Sequence, residues 1–148
     1  MRPSTRFATT TIGLAAVLSL TACGDLPQPD PDAKASREDL LDKARKTILD
    51  QDLEYPHDTH AEVSSGIVTI PPGVETGWHR HDTPLVVHVM EGVVTVEYDG
   101  GVVNEYGPGD TFVEAIGTRH NGRNLGDVEV VIYTVSIGAE GLQNTVSL

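Results

Sequence analysis

Two histidines separated by one residue, His79 and His81, form the pattern in this chain best suited to chemistry. On a β-strand, residues i and i+2 point to the same face, so the two rings would stand side by side. Neutral imidazoles held in that way are common ligands for divalent transition metals. A His-x-His pair on a surface arises often by chance, so the pair alone is a weak signal. His120 lies far downstream at the end of a second strand-like segment, and only a fold can bring it alongside. His57 and His60 fall in a polar stretch before the first strand and are expected in solvent.

The elements that must position these rings follow from the pattern around them. From Ala61 onward, short runs rich in Val, Ile, Thr and Tyr alternate with turn signals such as Pro71-Pro72-Gly73, Gly107-Pro108-Gly109-Asp110 and Leu125-Gly126-Asp127. Strands of this length at this spacing point to an antiparallel sandwich or barrel. Asp99-Gly100, between the runs Val93–Tyr98 and Val102–Tyr106, is a strong hairpin signal. Upstream, Ser36 reads as an N-cap with Asp39 in the capping-box position. Leu40, Leu41, Ala44, Ile48 and Leu49 follow at helical spacing, predicting one amphipathic helix over 36–52 whose apolar stripe packs on the barrel. There is no internal repeat and no phosphate-cradling glycine motif.

A chain of 148 residues has room for one domain of ordinary size. Arg2 and Arg6 precede the apolar run Ile12–Leu20, which is too short to span a bilayer comfortably and has the flanks of an export signal. The run ends in Leu20-Thr21-Ala22-Cys23, which resembles the bacterial lipobox. Residues 1–22 are therefore expected to be a lipoprotein signal peptide, with lipid on Cys23. Residues 23–35 are expected to be a flexible linker, since Gly24–Ala33 carries three prolines and three aspartates with little to bury. The barrel domain is expected over 53–148. Cys23 is the only cysteine, so disulfides cannot hold the fold together. Formal charge is −12, and losing Arg2 and Arg6 with the signal makes it −12 − 2 = −14. So acidic a surface disfavours nucleic acid and does not attract anionic lipid, which leaves membrane attachment to the acyl chains. The expected location is the cell envelope, facing the periplasm or the exterior.

Gly77-Trp78-His79-Arg80-His81, with Gly92 eleven positions later, resembles the first motif of the cupin superfamily. Gly109-Asp110, then Glu114-Ala115-Ile116-Gly117-Thr118-Arg119-His120 and Asn124, resembles the second. The resemblance covers roughly 66–137. It implies an all-β, antiparallel double-stranded β-helix, that is a jelly-roll barrel, to which the expected helix would be attached at the N-terminal side. It also implies one divalent transition metal held by His79, His81 and His120, with iron, manganese, nickel, zinc and copper all accepting such ligands.

Two positions depart from the family pattern. Ala115 occupies the place of the usual proline, and Leu85 that of the usual glutamate ligand. Residues at the Phe112 and Glu114 positions normally point into the barrel and are apolar. A lone carboxylate there is costly unless something cationic pairs with it, so Glu114 is expected to replace the missing ligand. The alternatives are a bulge that turns Glu114 outward, or pairing with Arg119 or Arg123. Val87 and Val89 share the inward parity of Leu85, so His88 is expected to face away and not to ligate. Trp78, Leu85, Phe112 and Asn124 are candidates for lining a pocket, as are Tyr98 and Tyr106. The implied activity is dioxygenase-like or Lewis-acid chemistry on a small bidentate organic substrate such as an enediol, diketone or catechol-like molecule. The alternative is a non-catalytic module that captures a small molecule or metal at the cell surface. Dimerisation is common among cupins, so a homodimer is an expectation from the family.

Overall fold

The β-branched runs downstream of Ala61 fold as strands that pair into two sheets. The computed structural model describes residues 34–55 and 59–148, so the expected signal peptide, Cys23, His57 and nearly all of the expected linker lie outside the described residues. One sheet contains β1 (Ala61–Ile70), β3 (Leu85–Glu91), β6 (Thr111–Val113) and β8 (Val130–Ala139), in the order β1-β8-β3-β6. The other contains β2 (His79–Arg80), β4 (Val94–Tyr98), β5 (Val103–Tyr106), β7 (His120–Arg123) and β9 (Val146–Ser147), in the order β5-β4-β7-β2-β9. Every strand pairing within them is antiparallel.

Period-two alternation decides which side chains fill the space between the sheets. In β3, Leu85, Val87 and Val89 are buried while His88 and Met90 face outward, the parity expected from the sequence. Tyr106 and Phe112 stack at the centre with ring centroids 3.8 Å apart. The hairpin joining β4 to β5 turns at Asp99-Gly100, where the Gly101 N–H donates to the Tyr98 carbonyl.

The expected helix over 36–52 does not form, and among the described residues there is no helix at all. Arg37 belongs instead to the same compact unit as the barrel, which runs to Leu148. The reason lies in the edge of the four-stranded sheet. β6 is an edge strand with ladder groups to satisfy, and the Ile48 N–H donates to the Val113 carbonyl at 2.8 Å. Gln51 holds the neighbouring loop in both directions, accepting from the Ile116 N–H and donating to the Ile116 carbonyl. A tight turn between Thr47 and Asp52 presents these groups, with Lys46 bridged to Asp52 and Asp50 in the left-handed region at φ 62°. Leu49 packs against the core, whereas Leu40 and Leu41 stay exposed, so the apolar stripe of a helix never assembles.

Candidate metal centre

Strand register brings the histidines together. His79 on β2 sits opposite His120 on β7, and Tyr98 on β4 sits on the other side of His120. His81 follows the end of β2, where it bridges to Ile116. Ring centroids are 4.5 Å apart for His79 and His120, and 5.0 Å apart for each of the other two pairs. One ligating atom from each ring lies within 4.8 Å of the others, close enough to share a single ion.

Each ring is held from behind by the backbone. His79 Nδ1 lies 2.8 Å from the Gly77 carbonyl, His120 Nδ1 lies 2.9 Å from the Thr118 carbonyl, and His81 Nδ1 lies 3.0 Å from the Asn144 carbonyl. A carbonyl only accepts, so each Nδ1 carries the proton and each Nε2 keeps a free lone pair. Anchoring of this kind sets tautomer and orientation in metal-binding histidines generally. Burial reinforces it by disfavouring the charged imidazolium: it lowers His79 and His120 and brings His81 down to about 4. All three rings are therefore neutral at pH 7, with no proton to displace. The donor set fits one divalent transition metal.

Glu114 points inward beside this trio and is almost fully buried. Its Oε1 accepts from the Tyr98 hydroxyl at 2.8 Å and from the Ala115 N–H at 2.7 Å. Its Oε2 lies 3.9 Å from His120 Nε2. Desolvation pushes the Glu114 carboxyl above the usual range, and the two donors oppose it only in part. Neither arginine considered as a partner reaches it. Arg119 faces Asp99, and Arg123 faces Glu75 and Glu97.

A cavity of about 460 Å³ opens at the three rings and Glu114 and extends between the sheets. Trp78 lines its mouth, and Leu85 and Phe112 line its interior. Asn124 does not line it. The Asn124 amide instead donates to the Ile70 and Val128 carbonyls, clamping the loop that precedes β8. His88 lies outside the cavity, with Nδ1 2.8 Å from the Thr111 hydroxyl. His60 is in solvent beside Glu140. Tyr98 and Tyr106, expected as pocket candidates, do not line the cavity; sequence reasoning missed that Tyr98 holds Glu114, although its inward position follows from the parity it shares with Val94 and Val96. The segment Asn144–Ser147, which backs His81 and pairs with β2, carries no local signal for either role.

The family model for the cupin domain matches residues 66–136, a span that holds all three histidines. Over that span the chain is similar to the cupin domain, and its two antiparallel sheets form a fold of the double-stranded β-helix type. The chain is similar in sequence to the (R)-mandelonitrile lyase of Granulicella tundricola, at 35% identity over 60 residues, or 40% of this chain and 46% of that protein. The chain thus spans less than half the length of that curated relative. In structure, it resembles an oxalate decarboxylase formate complex from Lactobacillus farciminis (TM-score 0.51, 23% identity), with 58% of this chain and 26% of that chain covered. A double-stranded β-helix protein from Klebsiella pneumoniae aligns at TM-score 0.50 and 17% identity, over 62% of this chain and 86% of that one. At these identities the structural likeness establishes the cupin fold and nothing finer.

Proposed function

We propose that this protein is a membrane-tethered cupin that uses one divalent transition metal to act on a small, bidentate organic molecule. The observation that carries the reading is the convergence of three backbone-anchored, neutral imidazoles on a cavity between the two sheets. His79, His81 and His120 hold the ion, and Glu114 completes the donor set in place of the carboxylate lost at Leu85. Tyr98 and the Ala115 N–H hold Oε1 of Glu114, which leaves Oε2 3.9 Å from His120 Nε2. A bound metal would supply Lewis-acid polarisation of a chelated oxygen, or a site for dioxygen. The walls from both sheets exclude water and orient the part of the substrate that does not reach the metal. That the relative at 35% identity is a lyase is consistent with chemistry on small organic molecules, here in a carbon–carbon-cleaving or dioxygenase-like form.

Elemental analysis of protein purified from its native envelope tests the metal reading. Wild type should carry about one transition-metal ion per chain, and His81→Gln should carry almost none. Equal metal content in the two proteins would refute it. Turnover of diketone and catechol-like compounds should then disappear on chelation and return with the metal. Tethering rests on Leu20-Thr21-Ala22-Cys23. Replacing Cys23 with Ala should move the protein to the soluble fraction or leave it unprocessed, and a processed, membrane-bound variant would overturn the anchor.

A further inference from the structure

The cavity gathers its titratable side chains together. These are His79, His81, His120 and Glu114, and beyond them the walls are formed by Leu85, Val87, Val96, Phe112 and Ile132. Among the described residues, no lysine or arginine lines the cavity. The arginines nearest the site are committed outside it. Arg80 binds Asp82 at 2.8 Å, while Arg119 lies over the Trp78 ring at 5.5 Å and 3.8 Å from Asp99. The other polar side chains that line the cavity are the Trp78 indole and hydroxyls, of which Thr134 donates to the Gly66 carbonyl and Ser136 is buried. Ligands in such sites gain affinity from apolar walls and orientation from the few polar groups. An ionised group buried without a counter-charge is strongly disfavoured.

We infer that the cavity selects a ligand with one chelating head and an uncharged, apolar body of about one substituted ring, and that it rejects small dicarboxylates. The volume supports the size. About 460 Å³ is roughly three times a ~150 Å³ apolar cavity that accepts benzene, which leaves room for a ring with substituents and its chelating oxygens. A dicarboxylate the size of oxalate leaves most of that volume unfilled. Its outer oxygens would lie against aliphatic carbon, with the Glu114 carboxylate as the nearest charged side chain. The inference rests on the metal reading above, and the experiment separates the two.

The full chain is loaded with cobalt(II), whose absorption reports ligand exchange, and metal content is measured first. A chain that takes up no metal refutes both the metal reading and this inference. On loaded protein, 4-nitrocatechol and oxalate are titrated separately. The expected result is a dissociation constant for 4-nitrocatechol lower than that for oxalate by about tenfold or more. Equal affinities, tighter oxalate binding, or no binding of either probe to loaded protein would overturn the selectivity while leaving the metal reading standing. Thr134→Lys supplies the missing cation at a half-buried position of the wall and should strengthen oxalate binding by about fivefold or more relative to wild type. An unchanged oxalate constant in a folded, cobalt-loaded Thr134→Lys protein also counts against the inference.

Discussion

Tyr98→Phe removes one hydroxyl from the buried contact that holds Glu114, and its effect should depend on whether metal is present. Burial raises the Glu114 carboxyl, so in metal-free protein the Tyr98 bond is made to an acceptor drawn toward its neutral form. A neutral hydrogen bond contributes about 1 kcal/mol net. Once a cation sits among the three histidines, the carboxylate is ionised, and a bond to a charged acceptor contributes about 1.5–3 kcal/mol. The variant should therefore lose about 1 kcal/mol of stability without metal and about 2 kcal/mol with it. The difference of about 1 kcal/mol is a roughly fivefold weaker metal dissociation constant. Urea denaturation of wild type and variant, each with and without saturating metal, measures both quantities. An equal loss in the two states, or an unchanged metal constant, would show that Glu114 does not respond to the ion and would remove it from the donor set.

Three further outcomes follow from other parts of the barrel. His88→Gln should keep metal stoichiometry near wild type, because His88 faces Thr111 on the outer side of β3; a loss as large as that in His81→Gln would refute the parity argument. Gly92→Ala places a Cβ 2.4 Å from the Glu129 carbonyl oxygen at φ +70°, and should cost about 3 kcal/mol or more, well beyond the ~1–2 kcal/mol of Gly109→Ala, which is strained at φ +93° but meets open space. Comparable urea midpoints for the two variants would contradict the clash. Metal-free protein should be fully stabilised by its neutral histidines above pH about 6.5 and should lose stability as pH falls, because the unfolded chain takes up protons that the buried rings resist. For His81, held to about 4, that loss reaches about 3 kcal/mol and levels off below its folded value. Glu114 acts in the opposite sense, since its raised carboxyl favours the folded state at low pH and loses that effect as pH rises. A urea midpoint that is flat or higher at pH 5 than at pH 7 would overturn the prediction for the histidines.

What was legible in the sequence is what local rules control. Strand parity placed Leu85, Val87 and Val89 inside and His88 outside, because a period of two needs no knowledge of the rest of the fold. The β4–β5 hairpin was legible because Asp99-Gly100 carries its own turn chemistry. The helix over 36–52 failed for the converse reason. Its apolar spacing was real, but Ile48 and Gln51 satisfy groups on β6 and the Ile116 loop that are remote in sequence. Tertiary pairing overrode a weak local preference. Asn124 shows the same limit on a smaller scale: its position in the motif was readable, but the two carbonyls that turn its amide away from the cavity were not. Glu114 stood out in the sequence only because an inward position held a charge where the family pattern has carbon.

The support behind His81 comes from the part of the domain that is made last. Asn144, Val146 and Ser147 follow every other strand in the chain, and they supply the carbonyl that orients His81 and the neighbour that flanks β2. Until they dock, the His81 ring lacks the carbonyl that orients it beside the His79–His120 pair. Affinity for divalent metals follows an order that favours copper and zinc wherever those ions are abundant, so the place where a site closes decides which ion it meets. The compartment in which β9 settles therefore supplies the ion that the three rings first meet as a set.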